Sequence, residues 1–262
     1  MSALWTLTVL LFLPLDGLAA SQQPSARPEA PPAAVPTPRP PLPPPGEMAR
    51  CKQLIDASQY AAARARLEPI VADHPGWARA ALLLGLSYYR QSRFEVAKPL
   101  FEQALAADSQ ETAVRPLYAS TLYALGELDA AETAWNALLL QEPDYAPAHY
   151  ALGLIDLDRD AIEPGRRHFQ TVVDLARRQS DEALEGRGHA RLGDLHVRLG
   201  ELEEARYELE IAIRLFPDEH DAHFKLSRVL ERLGDAEGAN RARQQFEEAK
   251  ARANRRSRRR RQ

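Results

Sequence analysis

The chain contains a single cysteine, Cys51, among 262 residues, so an internal disulfide is excluded. Its longest apolar stretch runs only from Leu4 to Leu15. As a helix, such a stretch is too short to cross the roughly 30 Å hydrocarbon core of a bilayer. The single cysteine therefore excludes a fold held together by disulfides. The short apolar stretch is not a typical membrane-spanning helix.

Signatures of catalysis and of cofactor binding are also missing. Gly186 and Gly188 form a GRG triplet with no third glycine and no preceding strand, so a phosphate-binding loop is not expected. No nucleophile with a positioned base can be identified. Histidines at helical spacing lack accompanying cysteines or an HExxH pattern, and we interpret them as surface or cap residues (His189 with His196, His220 with His223). We predict a non-enzymatic chain with no cofactor and no metal.

An N-terminal signal peptide is predicted over residues 1–20. The apolar stretch ends at Pro14 and Asp16 and is followed by small residues that suit cleavage after about Ala19 or Ala20. No Lys or Arg precedes the stretch, so an uncleaved membrane anchor and an incidental apolar start remain alternatives. The prediction implies export, to the periplasm or cell envelope, with a cytoplasmic location as the weakest alternative.

Residues 21–45 are predicted to form a disordered linker rich in proline. Half of the positions from Pro24 to Pro45 are proline, which favours an extended polyproline II path over helix or sheet. At about 3.1 Å per residue the segment could reach roughly 70 Å. We interpret it as a stiff spacer, and the alternative is a docking site for a proline-recognising domain.

The remaining chain repeats a pattern of about 34 residues, with six copies beginning at Pro44, Ala78, Thr112, Ala146, Gly186 and His220. Small residues recur at the eighth position of each copy (Cys51, Gly85, Ala119, Gly153, Gly193, Ser227) and at the twentieth (Ala63, Ala97, Ala131, Gly165, Ala205, Ala239). A bulky residue recurs at the twenty-fourth in five copies (Leu67, Phe101, Trp135, Phe169, Leu209), and Arg243 departs from it. Small side chains at fixed offsets let two helices approach to 8–10 Å.

This pattern resembles the tetratricopeptide repeat family, in an exported bacterial form. The resemblance implies an all-α, right-handed solenoid of about six helix-turn-helix units over residues 46–252. Pro69 falls in mid-helix and predicts a kinked or shortened helix, whereas Pro99, Pro116, Pro147 and Pro164 are placed at helix starts or in first turns. Six extra residues, Ser180 to Glu185, predict a longer second helix in the fourth unit, and the glycines that follow suggest a hinge.

The resemblance also implies a non-catalytic scaffold or adaptor that binds a peptide segment along its concave groove, lined by the first helix of each unit. Counted from the first residue of each unit, the family's groove offsets are chiefly 2, 5, 9, 12 and 13. In this chain they give Leu82, Leu86, Tyr89, Ser120, Tyr123, Tyr150, Leu154, Leu157, Arg187, Asp194, Arg198, Phe224, Arg228 and Arg232, with Arg79, Arg90, Arg191 and Lys225 beside them. The groove is thus predicted to be apolar and tyrosine-rich in the middle and basic toward the C-terminus. This suits a peptide with an acidic end, and the alternative is that these apolar residues pack against neighbouring units or form a homodimer.

The C-terminal residues 253–262 are predicted to form a disordered, arginine-rich tail. Seven arginines lie in the last eleven residues, and without them the formal net charge of −3 becomes −10. Such a cluster is a candidate contact for anionic lipid or an envelope polymer. Its members are Arg255, Arg256, Arg258, Arg259, Arg260 and Arg261. Were the chain cytosolic, nucleic acid would become the competing partner, which gives the alternative of a cytosolic adaptor using this tail.

Overall fold

A computed structural model of the chain describes residues 43–108 and 112–261, with side chains as far as residue 255. The described part contains twelve α-helices and no strand. They are α1 (Glu47–Asp56), α2 (Tyr60–Asp73), α3 (Ala78–Tyr89), α4 (Phe94–Ala107), α5 (Val114–Ala124), α6 (Leu128–Leu139), α7 (Ala146–Asp158), α8 (Ile162–Gln179), α9 (Glu182–Leu199), α10 (Leu202–Leu215), α11 (His220–Arg232) and α12 (Ala236–Arg261). Consecutive helices pack in pairs, and each pair packs on the next. The prediction of an all-α solenoid of six two-helix units is confirmed.

Small residues at the eighth position let the two helices of a unit approach closely. A Cβ atom added to Gly85 would lie 2.7 Å from Cε1 of Phe101, and one added to Gly153 would lie 2.7 Å from Cε1 of Phe169. Both phenylalanines are fully buried. The bulky residue of each second helix therefore fills space that only a small residue on the first helix leaves open.

The core runs continuously from unit to unit. In the third unit, Ala119, Ala131 and Trp135 are buried together with Leu152 and Ile155 of α7, which belongs to the fourth. Each unit thus buries its apolar face against its neighbour and does not close a core of its own.

Two helices tolerate an internal proline. The shortening expected at Pro69 is wrong, because α2 continues to Asp73. Pro99 lies at the sixth position of α4 and not in its first turn as predicted, whereas Pro116, Pro147 and Pro164 fall within the first three residues of their helices. Both internal prolines are exposed, as are the residues four positions earlier, so the carbonyls that lose a donor can be hydrated.

The six extra residues lengthen two helices, not one. Helices α8 and α9 each have 18 residues. Ser180 ends α8 in a left-handed conformation with φ of 56°, and the Asp181 side chain caps α9 by accepting a hydrogen bond of 3.0 Å from the Leu184 amide. We call this elongated α8–α9 pair the step.

The glycines of the step are packing residues. A Cβ at Gly186 would lie 3.0 Å from Cβ of Phe216, and one at Gly188 would lie 2.8 Å from Cγ2 of Val173. Both are buried within α9. The prediction that these glycines make the backbone locally flexible and form a hinge is therefore wrong. They lie where α9 packs most closely against its neighbours.

The C-terminal tail is helical. The prediction that residues 253–262 are disordered is wrong for residues 253–261, since α12 continues to Arg261. Arg252 donates a 3.1 Å hydrogen bond to Asp218 and so fixes α12 on the last unit. The helix continues beyond that point because Ala and Arg are strong helix formers.

The arginines predicted to contact an anionic partner belong to this same helix. All of them lie within α12, and none lies in a disordered tail as expected (Arg255, Arg256, Arg258, Arg259, Arg260 and Arg261). Their contact with anionic lipid, an envelope polymer or nucleic acid stays a prediction.

The N-terminal predictions fall outside the described part of the chain. The signal peptide over residues 1–20 and residues 21–42 of the linker lie before residue 43, where the description begins. Within the residues described, no helix is long and apolar enough to cross a membrane.

A half-buried histidine pair joins the two helices of the fourth unit. Nδ1 of His149 lies 3.1 Å from Nδ1 of His168, and Nε2 of His149 lies 3.1 Å from the carbonyl oxygen of Pro143. Burial, then the neighbouring His149 and Arg167, lower the pKa of His168, while Glu132 opposes them. Asp156 lies 3.9 Å from His168, and burial raises the pKa of Asp156. The pair therefore favours a neutral His168.

We expect this pair to make the protein less stable in mild acid. The unfolded chain protonates His168 near its ordinary pKa of about 6.5, whereas the folded chain does so at a lower pH. Stability therefore falls as pH drops below about 6.5 and stops falling below the folded pKa. The raised pKa of Asp156 acts in the opposite direction. Urea unfolding between pH 7.5 and 5 should show a weaker pH dependence for His168→Gln than for the wild type, and parallel curves would contradict the assignment.

Candidate functional site

A concave groove of about 590 Å³ lies on the side of the array formed by the first helices. Helices α5, α7, α9 and α11 contribute its lining. We call it the step groove, since it lies beside the step. Its lining residues are Tyr123, Leu154, Leu157, Asp158, Arg191, Asp194, Val197, Arg198, Phe224, Lys225, Arg228, Val229 and Arg232.

The step separates the first helices that flank the groove. The backbones of α7 and α9 make less close contact than those of any other two successive first helices. The other such pairs are α1–α3, α3–α5, α5–α7 and α9–α11. Two arginines of α9 connect it to α7 instead. Arg191 donates to the Tyr150 hydroxyl over 3.0 Å, and Arg198 donates to the Leu157 carbonyl over 2.9 Å. The longer helices thus leave a space that the arginines border.

A tyrosine and a carboxylate form one rim of the groove. Tyr123 donates a 2.8 Å hydrogen bond to Asp158. Burial, reinforced by this hydrogen bond, raises the pKa of Tyr123 to about 12. The phenol therefore stays protonated at physiological pH and keeps its ring at the edge of the apolar floor.

One carboxylate fixes two cations of the groove. Asp194 accepts a 3.0 Å hydrogen bond from Arg191 and a 2.7 Å hydrogen bond from Lys225. Burial alone would lower the pKa of Arg191, but Tyr150 and Asp194 outweigh it and raise that pKa. Arg191 therefore stays charged, and the network joins α7, α9 and α11.

The groove combines a positive charge with an apolar floor. Five basic side chains face two acidic ones, a formal excess of three positive charges (Arg191, Arg198, Lys225, Arg228 and Arg232 against Asp158 and Asp194). Leu154, Leu157 and Val197 form the floor, and Phe224, which is 48% exposed, stands at its C-terminal side. Such a surface suits a ligand with both apolar and negatively charged groups.

The structure gathers only part of the predicted groove. Tyr123, Leu154, Leu157, Arg191, Arg198 and Arg228 line the step groove. Tyr150 and Arg187 line a small adjoining cavity, which Arg191 also borders.

Apart from Tyr123, the predicted groove residues of the second and third units do not join this site. Leu82 is 3% exposed and lies in the core with Phe101, so we assign it to packing. Tyr89 packs edge-on against Phe94 and Phe101, with ring centroids 5.5 Å and 6.4 Å apart. Leu86 packs against the core formed by the first unit and α3, which includes Cys51 and Leu67. Ser120 is half-buried and is not part of the lining.

Sequence reasoning missed several residues of the site. Asp158, Val197 and Val229 were not predicted to line the groove. Asp158 occupies the thirteenth position of its unit, which is one of the family's groove offsets, and could have been found there. Val197 occupies the twelfth position of its unit, also one of these offsets, and could have been found in the same way. Val229 carries no such signal, because only the packing of α11 turns it toward the groove.

Three adjacent residues outside the groove, Glu219, His220 and Asp221, place potential metal-ligand atoms within 4.8 Å of one another. Nδ1 of His220 lies 3.0 Å from Oδ1 of Asp221, which is exposed. Neighbouring acidic and histidine side chains at a helix start are common on surfaces, and we assign no metal to them.

Comparisons with known proteins agree with this architecture. Models of the tetratricopeptide repeat match residues 88–155 and, with a second model, residues 52–112 and 190–255. No curated protein matches the chain in sequence.

Solved structures with the same fold include three of interest. PilF from Pseudomonas aeruginosa is 17% identical, with 78% of this chain and 90% of PilF covered and a TM-score of 0.64. PilW, described as a widely conserved type IV pilus biogenesis factor, is 16% identical over 76% of this chain and 90% of its own, with a TM-score of 0.65. YrrB, described as having an unusual peptide-binding site, is 16% identical over 67% and 88%, with a TM-score of 0.54. At these identities the similarity shows the fold.

Proposed function

Because this chain belongs to the tetratricopeptide repeat family, we propose that it is a scaffold that binds an extended peptide segment of a partner protein in the step groove. The family fold supports interaction with proteins or peptides as the general role. The finer assignment, to one groove and to a peptide, rests on the geometry of α7, α9 and α11.

The observation that carries the proposal is a preformed space with oriented polar groups around an apolar floor. Tyr123, Arg191 and Lys225 are each held by a hydrogen bond to a carboxylate. Side chains already fixed in this way lose little conformational entropy when a ligand binds. A segment from another protein can place an apolar side chain on the floor and its polar groups on the rim, as peptide grooves commonly require.

We further propose that the protein acts in the cell envelope. This location rests on the apolar leader followed by small residues at the N-terminus. Sequencing the N-terminus of the protein purified from its host tests the location. A mature chain beginning near Ser21 supports export, and a retained leader in a cytosolic fraction would refute it.

Truncating one rim residue and one floor residue of the step groove should weaken peptide binding. We expect Tyr123→Ala combined with Leu154→Ala to lower the affinity for a peptide selected on the wild-type protein by at least about tenfold. Buried contacts at the centre of a binding site dominate affinity. Leu140→Ala with Tyr207→Ala is the matched control, because these side chains are 86% and 63% exposed and lie outside the groove.

The measurement is fluorescence anisotropy with a labelled peptide selected from a display library on the wild-type protein. Circular dichroism of both double variants checks that their helical content is retained. Equal affinity of the groove variant and the wild type, with helicity intact, would refute the proposed site.

A further inference from the structure

The cations of the step groove divide into two groups by their partners. Arg191 and Lys225 share Asp194, and Arg198 donates to the Leu157 carbonyl and, over 3.1 Å, to Asp160. Their positive charges are partly balanced within the protein. These three side chains therefore shape the groove more than they attract a ligand.

Arg228 and Arg232 form the second group. The nearest carboxylate to Arg228 is that of Glu231, 3.8 Å away. No carboxylate among the described residues lies within 4.0 Å of Arg232. The two side chains are four residues apart on α11 and so lie on the same face, about 6 Å apart along the helix. One edge of the groove thus presents two adjacent guanidinium groups with little internal compensation.

Apolar surface lies directly beside these two arginines. Leu157, Val197 and Val229 line the same space, and the exposed ring of Phe224 borders it. Charged groups next to a low-dielectric wall interact more strongly with an incoming opposite charge than they would on an open surface. A ligand that covers this edge must be negatively charged where it meets α11 and apolar where it meets the floor.

Resting on the proposed function, we propose that the step groove selects acidic peptide segments, in which Asp or Glu side chains bind Arg228 and Arg232 while a neighbouring aliphatic or aromatic side chain fills the floor between Leu157 and Val197. Carboxylates match the fork of a guanidinium and can bind it through two hydrogen bonds. Segments rich in Lys or Arg are excluded by like charge. Single-stranded nucleic acid is disfavoured, because successive bases stack on several aromatic side chains, and Tyr123 and Phe224 are the only aromatic residues of the lining.

The proposal can be tested by selecting from a display library of random twelve-residue peptides on the full-length protein. The enriched peptides should contain Asp or Glu next to a large apolar residue. A fluorescein-labelled enriched peptide should lose at least about tenfold in affinity when its acids are changed to the corresponding amides, which is the loss expected of charge-assisted hydrogen bonds. Its affinity should also fall as salt is raised from 50 to 500 mM.

Arg228→Gln with Arg232→Gln should weaken the acidic peptide by a similar factor and leave its amide analogue unaffected. Arg206→Gln with Arg214→Gln on α10 is the matched control, because it removes the same charge from exposed positions outside the groove. This control should bind like the wild type. A loss of affinity equal in both double variants would overturn the proposal, since it would show that only overall charge matters.

The remaining outcomes separate this inference from the proposed function. Enriched peptides without acidic residues, whose binding is lost in Tyr123→Ala with Leu154→Ala, would overturn the acidic preference and leave the peptide groove standing. A library from which nothing is enriched would overturn both. Tighter binding of a labelled oligo-dT than of any enriched peptide would also overturn the inference, in favour of a nucleic-acid ligand.

Discussion

Replacing Phe169 by Ala is expected to lower the free energy of unfolding by about 3–5 kcal/mol, the range for deleting a large buried aromatic side chain. Phe169 is fully buried and packs with Val173, Leu192 and Leu195. Its ring also lies against Gly153, where there is no room for a Cβ. Because α7, α8 and α9 meet at this ring, the cavity cannot be filled by one helix moving alone.

The matched control is the same substitution at Phe224, which is 48% exposed. There we expect a loss of about 1 kcal/mol or less, as for most surface changes. Urea unfolding followed by circular dichroism measures both variants against the wild type. Equal losses at the two positions would contradict the placement of Phe169 at the centre of the fourth unit.

Substituting Gly188 by Leu should drive α8 and α9 apart. A Cβ there would lie 2.8 Å from Cγ2 of Val173 and 3.3 Å from Cγ1 of Val172, both on stiff β-branched side chains. Overpacking of this kind costs about 1–3 kcal/mol and sometimes more. Since α9 carries Arg191 and Arg198, its displacement should also weaken peptide binding.

Gly76→Leu provides the control for that substitution, because a Cβ at Gly76 would meet nothing within 4 Å. We expect a change of about 0.5 kcal/mol or less for it, as for surface positions without special contacts. Urea unfolding and anisotropy with the acidic peptide report on stability and on binding. If Gly188→Leu matched Gly76→Leu in both measurements, the close approach of α8 and α9 would be refuted.

The repeat could be predicted because its signal is local and occurs six times. Small residues such as Gly85 and Gly153 and bulky partners such as Phe101 and Phe169 fall at fixed offsets, and the fold places them in contact as expected. A periodic core needs only nearest-neighbour packing, so the sequence of one unit predicts most of its structure.

The step was predicted only in part, because the six extra residues suit either helix. The chain around them favours helix on both sides, and the boundary is set by two local features. Ser180 adopts a left-handed conformation, and the Asp181 side chain caps α9. The helix start at Asp181 could be predicted from the sequence, because aspartate is a preferred N-cap residue. The left-handed conformation of Ser180 could not.

The position of the groove could not be predicted from offsets alone. The family pattern spreads the expected ligand contacts along all the first helices, whereas the lining of the step groove lies where α7 and α9 are apart. That separation follows from the length of α8 and the packing of its buried valines, which are tertiary properties. In the second unit, the predicted groove residue Tyr89 instead packs on Phe94 and Phe101, since its own second helix offers an aromatic surface.

We propose that a peptide binds between α7, α9 and α11, beside the step. Hydrogen–deuterium exchange with and without a saturating acidic peptide tests it most directly, because bound ligand slows local opening of the helices it touches. We expect slower exchange in residues 150–158, 191–198 and 224–232, and unchanged exchange in α6 and α10. Slowing confined to α6 and α10, or to the first two units, would contradict it.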